Sequence, residues 1–556
     1  DLVIADEAHR CTGEVGKAFT TVLDGSLIKA KRRLFTTATP KIFTKNLKKK
    51  ANEVGVDILD MSDEASFGNK FHSLTFAQAI EDNLLTDYRV VIIGVNEPMI
   101  AQWISKRQLV RTDKNDVIDA QNLASQIGLI KAIKDYDLKR LISFHSRVKT
   151  AELFASELHD TIEIISHEHR PKGDLYTDYV SGLMVASKRA IKLSKLKTLQ
   201  DSDRGLLTNS RCLSEGIDVP SLDGVAFIDP KRSQVDIIQA VGRAIRKSEN
   251  KTFGTIILPV FIEESDNVEE SIQSSNFKPI WSVLNALRSH DDVLSFELDQ
   301  FRTELGIQVR SEVSFSLDKI IFDLPETVDD SFSKSLTTYL VEKTSSSWHF
   351  WFGLLIKYVE IHSNARVPTR YKTEDGYFLG KWVSHQINYK KNGILSKDRI
   401  QNLESLSGWV WDPHEDAWNE GFNYLKEYVK IFSNPRVPNR YKTEDGYLLG
   451  NWVANQRRYK VAGTLSKDRI QKLESISGWV WDPYEYAWNE GFNYLKEYVK
   501  IFSNSSVPAR YKTKNGYCLG RWISQQRERK KLGTVSKDRI QKLESISGWS
   551  WDPHED

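Results

Sequence analysis

The 556 residues are 40% apolar and 28% charged, a composition that excludes a mostly disordered chain and suits roughly three to five folded domains. Three cysteines, Cys11, Cys212 and Cys518, are too far apart for a disulfide framework or a cysteine zinc cluster, so we expect a reduced, cytoplasmic protein. The net charge is +3, and the apolar stretches are too short to cross a membrane, so we expect no membrane partner.

The chain opens with an aliphatic run, Leu2–Ala5, followed by Asp6-Glu7-Ala8-His9. This pattern predicts a buried strand that ends in two carboxylates. One carboxylate there can hold Mg²⁺, and its neighbour can orient or deprotonate a water that attacks a phosphate. For the tetrapeptide alone, an acidic turn at a strand end is the alternative. Because the chain starts inside a strand, we expect the natural protein to extend upstream of Asp1.

Residues 1 to about 250 alternate short aliphatic runs with polar helical stretches, which is typical of parallel α/β layers. In such sheets the chemistry lies just beyond the carboxyl ends of the strands. The predicted strands are Leu2–Ala5, Arg33–Phe35, Arg89–Val95, Arg140–Phe144, Gly205–Leu207 and Val225–Ile228.

Polar motifs follow several of these strands. They are Thr36-Thr37-Ala38-Thr39-Pro40, Phe144-His145-Ser146-Arg147, the stretch from Thr208 to Pro220, and the stretch from Gln239 to Arg246. In the last motif Gln239, Arg243 and Arg246 have helical spacing, so we expect all three on one helical face. Two guanidinium groups on one face suit the developing charge of a triphosphate.

Two further segments carry no recognisable chemistry. Residues 96–136 resemble a helical excursion after the strand Arg89–Val95. Residues 266–347 are predicted to be a helical connector with a Ser-rich end.

The C-terminal part is an internal repeat with a period of 70 residues, seen in Trp382, Trp452 and Trp522. Residues 348–556 hold 13 of the 15 tryptophans, so aromatic packing is expected to dominate small cores. They contain 33 Lys and Arg against 24 Asp and Glu, a net charge of +9, whereas residues 1–347 carry −6. This asymmetry favours contact with a polyanion, with a solvated basic surface as the alternative.

Each unit reads as a compact three-helix bundle. Asp482 before Pro483 predicts a capped helix start, and Ser466 predicts another. A middle helix after Gly446 is expected to bury one apolar side and to end in cations. The cations of the second and third units are Arg457, Arg458, Lys460, Arg527, Arg529, Lys530 and Lys531.

The ordered motifs resemble motifs II to VI of superfamily 2 helicases of the DEAH type, close to the branch of type III restriction-subunit motors. The 70-residue units resemble the helicase-associated repeats found behind such motors in bacteria, which implies a bacterial cytosol or nucleoid location. The implied fold is α/β, with two RecA-like lobes followed by three all-α repeats. The implied domains are a partial first lobe at 1–85, a second lobe at 86–265, the connector at 266–347, and repeats at 348–417, 418–487 and 488–556.

The resemblance also implies roles for individual residues, with ATP and Mg²⁺ as cofactors. Asp6 would position Mg²⁺, Glu7 would serve the attacking water, and His9 would couple this site to the last motif. Thr37 and Thr39 would link hydrolysis to lobe movement. The nucleotide cleft of the second lobe would comprise Gly216, Asp218, Gln239, Arg243 and Arg246, the two arginines acting as fingers. Contacts to the nucleic-acid backbone would come from His145, Ser146, Arg147 and Thr208.

One family feature is absent from the sequence, namely the phosphate-binding loop Gly-x-x-x-x-Gly-Lys-Ser/Thr. We therefore expect the chain alone to hydrolyse ATP poorly. Two hypotheses remain at this point. The first is a motor that couples ATP hydrolysis to movement on nucleic acid, with DNA favoured over RNA and the basic repeats contacting phosphates. The second is a nucleic-acid or protein binding module whose motor part is an inactive remnant.

Overall fold

A computed structural model describes residues 1–16, 18–43, 47, 48, 51, 56–103, 116–200, 202–210, 222–229, 233–249, 251–263, 268–273, 277–308 and 317–552. The chain divides into two compact units, Asp1–Ser407 and Gly408–Asp556. No helix within these described ranges combines the length and the apolar character that crossing a bilayer demands.

The strands of the first unit alternate with helices along the chain. They are β1 Leu2–Ala5, β2 Gly13–Glu14, β3 Arg32–Phe35, β4 Ile58–Leu59, β5 Asp87–Asn96, β6 Arg140–His145, β7 Leu175–Ser181, β8 Arg204–Ser210, β9 Gly224–Asp229, β10 Phe253–Ile262 and β11 Ile320–Asp323. The helices between and after them, up to the connector, are α1 Glu64–Phe67, α2 Phe76–Glu81, α3 Glu97–Trp103, α4 Asp116–Asp135, α5 Val148–Ile164, α6 Ala186–Lys197, α7 Gln234–Ala244, α8 Val268–Gln273, α9 Lys278–Arg288, α10 Asp292–Ile307 and α11 Asp330–Thr344.

The C-terminal part contains three consecutive sets of three helices. They are α12 Ser347–His362, α13 Leu379–Lys391, α14 Lys397–Glu404, α15 Pro413–Phe432, α16 Leu449–Val461, α17 Lys467–Glu474, α18 Pro483–Phe502, α19 Leu519–Lys531 and α20 Lys537–Glu544.

The N-terminal segment contains a parallel pair of strands. β1 pairs with β3, with Ala5 opposite Phe35, and β2 pairs antiparallel with β4. Because β1 and β3 run in the same direction, the Asp-Glu-Ala-His motif and the Thr-Thr-Ala-Thr-Pro motif leave this sheet at the same edge.

A seven-stranded parallel sheet forms the centre of the first unit, in the order β11-β5-β10-β9-β6-β8-β7. Its middle strands are buried on both faces. Val90 and Ile92 belong to one apolar core, which includes α7 and the connector helices, and Val91 and Ile93 belong to the other, which includes α4 and α5. This two-sided burial explains the continuous aliphatic runs and confirms the expected α/β layers.

All six predicted strands are present, and the described residues form five further strands that were not predicted, three of them, β7, β10 and β11, in the seven-stranded sheet. Among the latter, β10 lies between β5 and β9, and β7 forms one edge of the sheet. The β7 segment, Leu-Tyr-Thr-Asp-Tyr-Val-Ser, mixes apolar and polar residues and is mostly half-buried, so it lacks the aliphatic run that marks the central strands.

The prediction of a helical connector for 266–347 is incomplete, because the segment also adds β11 to the sheet, with Ile320 opposite Val90. Buried polar contacts fasten the connector there. The Tyr88 hydroxyl donates to the fully buried carboxylate of Asp291 at 2.6 Å, and Lys319 lies 3.2 Å from the same carboxylate. Burial, followed by the nearby Asp291 charge, raises the pKa of Tyr88 well above its ordinary value.

Each repeat is a three-helix bundle, as predicted, with a tryptophan at its centre. The indole nitrogen of Trp418 on α15 donates to Oε1 of the buried Gln456 on α16 at 2.9 Å. The same bond joins Trp348 to Gln386 and Trp488 to Gln526. A buried indole requires an acceptor, so this pair fixes one helix against the next.

The predicted helix starts are also confirmed. Asp482 accepts from the backbone N–H groups of Tyr484 and Glu485 ahead of Pro483, and the Ser466 hydroxyl accepts from the N–H of Arg469.

The first repeat packs closely against the connector. A Cβ atom at Gly353 on α12 would lie 2.0 Å from the carbonyl oxygen of Thr303 on α10, and one at Gly306 would lie 2.1 Å from that of Phe350. Only glycine permits backbone contact this close. The corresponding position of the second repeat is Asn423, whose side chain excludes the same approach.

We expect Gly353→Ala to destabilise the first unit by about 1–3 kcal/mol, because the added methyl group forces the two helices apart. Asn423→Ala changes the equivalent but exposed position and should change stability by less than about 0.5 kcal/mol. Urea unfolding of both variants checks this. Equal midpoints for Gly353→Ala and the parent would contradict the close packing.

Candidate nucleotide and nucleic-acid sites

The two adjacent carboxylates lie in a turn at the end of β1. Oδ1 of Asp6 accepts hydrogen bonds from the Thr36 hydroxyl and from the Glu7 backbone N–H, both at 2.9 Å. Glu7 has φ 51°, a left-handed conformation that costs free energy in a residue other than glycine. The turn is held because the Ala8 N–H donates to the Thr36 carbonyl at 2.9 Å, which joins the two motifs through the backbone as well.

His9 and Thr37 extend this group. Nδ1 of His9 lies 3.1 Å from the Thr37 hydroxyl and 3.2 Å from Oε2 of Glu7. Thr39 is buried, and its backbone N–H donates to the Thr37 hydroxyl at 3.2 Å. The two threonines and the histidine therefore form one connected polar group beside Glu7.

Helix α7, which packs on the seven-stranded sheet, extends to Glu7. Nε2 of Gln239 donates to Oε1 of Glu7 at 3.2 Å, across 232 residues of sequence. Arg243 lies one helical turn further along α7 and is buried. The last motif therefore contacts the first one directly.

The prediction that Arg246 shares this helical face is wrong. Helix α7 ends at Ala244, and Arg246 instead forms an antiparallel bridge with Leu85. The helix ends here because the Ile245 carbonyl accepts a hydrogen bond from the Thr86 N–H at 2.8 Å. This tertiary contact directs the chain away from the helix axis. Arg246 is exposed, one residue beyond the helix cap. Gly216 and Asp218 lie outside the described residues.

The residues expected to contact nucleic acid near β6 and β8 differ in exposure. His145 and Thr208 are buried, whereas Arg147 is exposed at the start of α5. The Thr208 hydroxyl donates to the Ala151 carbonyl at 2.6 Å, so it holds α5 to the sheet. Ser146 donates to the carboxylate of Asp229 at the end of β9. Thr208 and His145 therefore have no exposed surface from which to contact a backbone phosphate in this structure.

His145 is neutral in this environment. Its Nε2 lies 3.0 Å from the Ser143 hydroxyl, and its ring packs on Phe154 with centroids 4.9 Å apart. Nδ1 is buried with no hydrogen-bond partner among the described residues. Burial lowers the pKa of His145 to about 3.

His290, which no sequence motif indicated, joins the connector to this site. Its Nε2 lies 2.9 Å from the carbonyl oxygen of Ala38, in the loop after β3, and its own carbonyl accepts from the Phe76 N–H. A lone histidine between α9 and α10 has no local pattern that would identify it.

The predicted cations of the repeats fall into two groups. Arg457 and Arg527 belong to the fold: their Nε atoms donate to the carbonyls of Val480 and Ser550, at 3.3 and 3.1 Å, and burial lowers the pKa of both. Their guanidinium groups lie 5.2 and 5.4 Å from tryptophan rings.

The lysines at the end of the middle helix are also engaged. Lys460 lies 3.1 Å from the Glu474 carboxylate and 4.0 Å from the Trp481 ring, and Lys530 lies 5.2 Å from the Trp551 ring. Arg458 and Arg529 are exposed.

The family model of the helicase conserved C-terminal domain matches residues 128–248, and the model of the helicase associated domain matches residues 345–412, 415–482 and 485–552. The chain is similar to "Probable helicase A859L" of African swine fever virus (isolate Pig/Kenya/KEN-50/1950), at 26% identity over 459 residues, covering 77% of the chain and 46% of the viral protein. It is 24% identical over 457 residues to the protein of the same name from isolate Tick/Malawi/Lil 20-1/1983, with the same coverage.

Among solved structures, the chain is similar to the "ATP-dependent Type ISP restriction-modification enzyme LlaBIII bound to DNA", with a TM-score of 0.49 and 21% identity, over 98% of the chain and 38% of that structure. The chain thus spans about half the length of the curated relatives it matches. Both family models describe helicase domains. The chain therefore contains a helicase conserved C-terminal domain followed by three helicase associated domains.

We expect the buried His145 to weaken the fold in acid. Its folded pKa of about 3 lies below the ordinary value of 6.5, so the unfolded state binds a proton first as pH falls. The free energy of unfolding therefore has its full value above pH 6.5 and decreases below it, by roughly 2 kcal/mol at pH 5.

The test compares urea midpoints at pH 7 and pH 5. His145→Gln removes the titrating ring and should lose less stability over this interval than the parent does. His385→Gln, at an exposed position, serves as the control and should behave like the parent. Identical pH responses of His145→Gln and the parent would contradict the assignment.

Proposed function

We propose that the protein is an ATP-dependent helicase or translocase that couples ATP hydrolysis to movement on nucleic acid, with DNA as its track. The observation that carries this proposal is the hydrogen bond between Glu7 and Gln239. It supports a cleft in which the acidic motif of the first lobe faces the cationic motif of the second.

The residues present fit Mg²⁺ and a nucleotide. Mg²⁺ needs one or two protein carboxylates, and phosphates and waters complete its coordination, so Asp6 and Glu7 suffice as protein ligands. Oε2 of Glu7 is buried, lies 3.2 Å from Nδ1 of His9 and has no other polar partner among the described residues, so it retains a lone pair able to bind a water. Bound Mg²⁺ would neutralise charge on the phosphates.

In this proposal Asp6 holds the metal and Glu7 accepts a proton from the attacking water at Oε2. Gln239 orients Glu7, and Arg243 and Arg246 stabilise phosphate charge. His9, Thr37 and Thr39 relay the state of Glu7 to the loop after β3, because they form one polar group with it. The resemblance also assigns Gly216 and Asp218 to the nucleotide cleft.

The sequence contains no phosphate-binding loop of the Gly-x-x-x-x-Gly-Lys-Ser/Thr type. These 556 residues thus supply only the acidic and cationic parts of the proposed site. We therefore expect them, by themselves, to hydrolyse ATP slowly. ATPase activity should therefore be measured on the whole gene product.

We expect Glu7→Gln to lower nucleic-acid-stimulated ATPase at least about 100-fold, because general-base catalysis contributes about that much. Glu81→Gln changes an exposed carboxylate at the end of α2 and should leave the rate unchanged. Steady-state phosphate release measures both. Normal ATPase in Glu7→Gln would refute the motor assignment, and a parent without ATPase would favour the alternative of a binding module with an inactive motor.

The repeats are the proposed nucleic-acid holders. Residues 348–556 carry a net charge of +9, and exposed cations such as Arg458 and Arg529 can contact phosphates. Phosphate contacts need placed cations and no base readout, which suits a motor that must hold any sequence. Duplex DNA is favoured by the resemblance to restriction-type motors.

We expect the chain to bind a 30-base-pair duplex with a logarithmic salt slope of about −3 or steeper, one phosphate contact per repeat or more. Fluorescence anisotropy across a NaCl series measures the slope, with single-stranded DNA and duplex RNA beside it. A peptide nucleic acid duplex, which lacks phosphates, is the matched control and should not bind. A flat salt response would exclude phosphate contact, and tighter binding of RNA would contradict the choice of DNA.

A further inference from the structure

Each repeat presents the same tripeptide, Arg-Tyr-Lys, between its first and second helices. It occupies residues 370–372, 440–442 and 510–512. The first and third side chains of every copy are exposed, whereas the central tyrosine is partly buried. The tripeptide thus has an inner residue that belongs to the fold and two outer cations.

The tyrosine holds the segment in place. The Tyr441 N–H donates to the Pro438 carbonyl at 2.9 Å, and its ring packs edge-on against Tyr428 with centroids 4.8 Å apart. The Gly450 N–H donates to the Tyr441 carbonyl at 3.1 Å, which ties the segment to the start of α16. The other repeats have the same three contacts at Tyr371 and Tyr511. The backbone that carries the two cations is therefore held in place by the hydrogen bonds of the tyrosine between them.

In the second and third repeats the cations themselves support nothing in the fold, whereas Lys372 of the first repeat lies 4.2 Å from the Phe378 ring. Within the described part of the chain, the side chains of Arg440, Lys442, Arg510 and Lys512 have no hydrogen bond, ion pair or ring contact. Arg469 makes the contrast clear, since it pairs with Glu415 at 2.6 Å and lies over the Trp418 ring. A cation that is repeated for the sake of the fold has partners of this kind.

Other exposed positions differ between the repeats. Position 430 is lysine in the second repeat and glutamate in the first, as Glu360. The residue before the arginine is Thr369, Asn439 or Ala509. Some exposed positions therefore vary in this array, yet the two cations have not varied; the exposed Lys397, Lys467 and Lys537 are also the same in all three copies. What distinguishes the tripeptide is that each copy places two exposed cations on either side of an anchored tyrosine, which favours a requirement outside the fold.

Three identical cation pairs suit a ligand that offers equivalent anionic sites again and again. A nucleic-acid backbone does so, because each strand presents a phosphate at every nucleotide. An acidic protein does so only where it is itself built from repeats or from several copies. We propose that these three Arg-Tyr-Lys segments, with the arginine and lysine of each, are the surface on which the repeats contact the phosphate backbone. This inference rests on the proposed nucleic-acid binding by the repeats and identifies its main contacts.

The test removes four charges from the full chain, with the changes Arg440→Gln, Lys442→Gln, Arg510→Gln and Lys512→Gln. The matched control also removes four, through Lys426→Gln, Lys430→Gln, Lys496→Gln and Lys500→Gln. These control lysines are exposed on the first helices of the same two repeats and are absent from the first repeat, which has Ile356 and Glu360. Both variants have the same net charge, so a difference between them reports position.

Anisotropy with a 30-base-pair mixed-sequence duplex over a NaCl series is the measurement. We expect the salt slope of the segment variant to become shallower by about 3 to 4, since each lost phosphate contact contributes about 0.9. The control should change it by less than about 1. A third variant, Arg440→Lys with Arg510→Lys, keeps the charges and should retain the parent slope. Far-ultraviolet circular dichroism should match the parent in all variants, because the altered side chains are exposed.

Three outcomes would overturn the inference, and they are distinguishable. If the parent does not bind the duplex, the proposed nucleic-acid binding fails and this inference fails with it. If the parent binds but the two four-charge variants behave alike, binding stands and the segments are not its surface. If poly-glutamate binds the parent more tightly than DNA does and loses that binding only in the segment variant, the surface belongs to an acidic protein.

Discussion

The arrangement of the first unit depends on the pairing of parallel strands. Parallel strands end at the same edge of a sheet, so the loops that follow them meet there. Ala5 and Phe35 are opposite each other, and this register brings Thr36 to Asp6 and the Ala8 N–H to the Thr36 carbonyl. Burial of the larger sheet on both faces then places α7 against the first core, with Gln239 directed at Glu7. The polar group at the proposed site is therefore a consequence of strand direction and layer packing.

The connector is a structural part of the first unit. It contributes a strand to the main sheet, places His290 against the loop after β3, and receives the first repeat through the glycine contact of α10 and α12. The loop that holds Thr37 and Thr39 therefore touches both Glu7 through His9 and the connector through Ala38. A movement of this loop would therefore change the contacts beside Glu7 and those with the connector.

Sequence reasoning identified the motif residues that lie at strand ends, because an aliphatic run followed by polar residues is a local signal. It found the period of the repeats and the capped starts of their helices for the same reason. It failed where burial by distant residues decided the outcome. Arg246 leaves its helix because Thr86 captures the preceding carbonyl, and Thr208 turns inward to bond Ala151. Neither partner is near in sequence, so no local pattern contains the information.

The same division applies to the cations of the repeats. The sequence by itself determined the α/β layers, the three 70-residue helical units and the basic character of the C-terminal part, because these follow from periodicity and composition. Only the tertiary structure decided that Arg457 packs beneath Trp479 whereas Arg440 is free in solvent. The physical reason is that a charged side chain has the same formula in either place, and its environment is made by residues elsewhere in the folded chain.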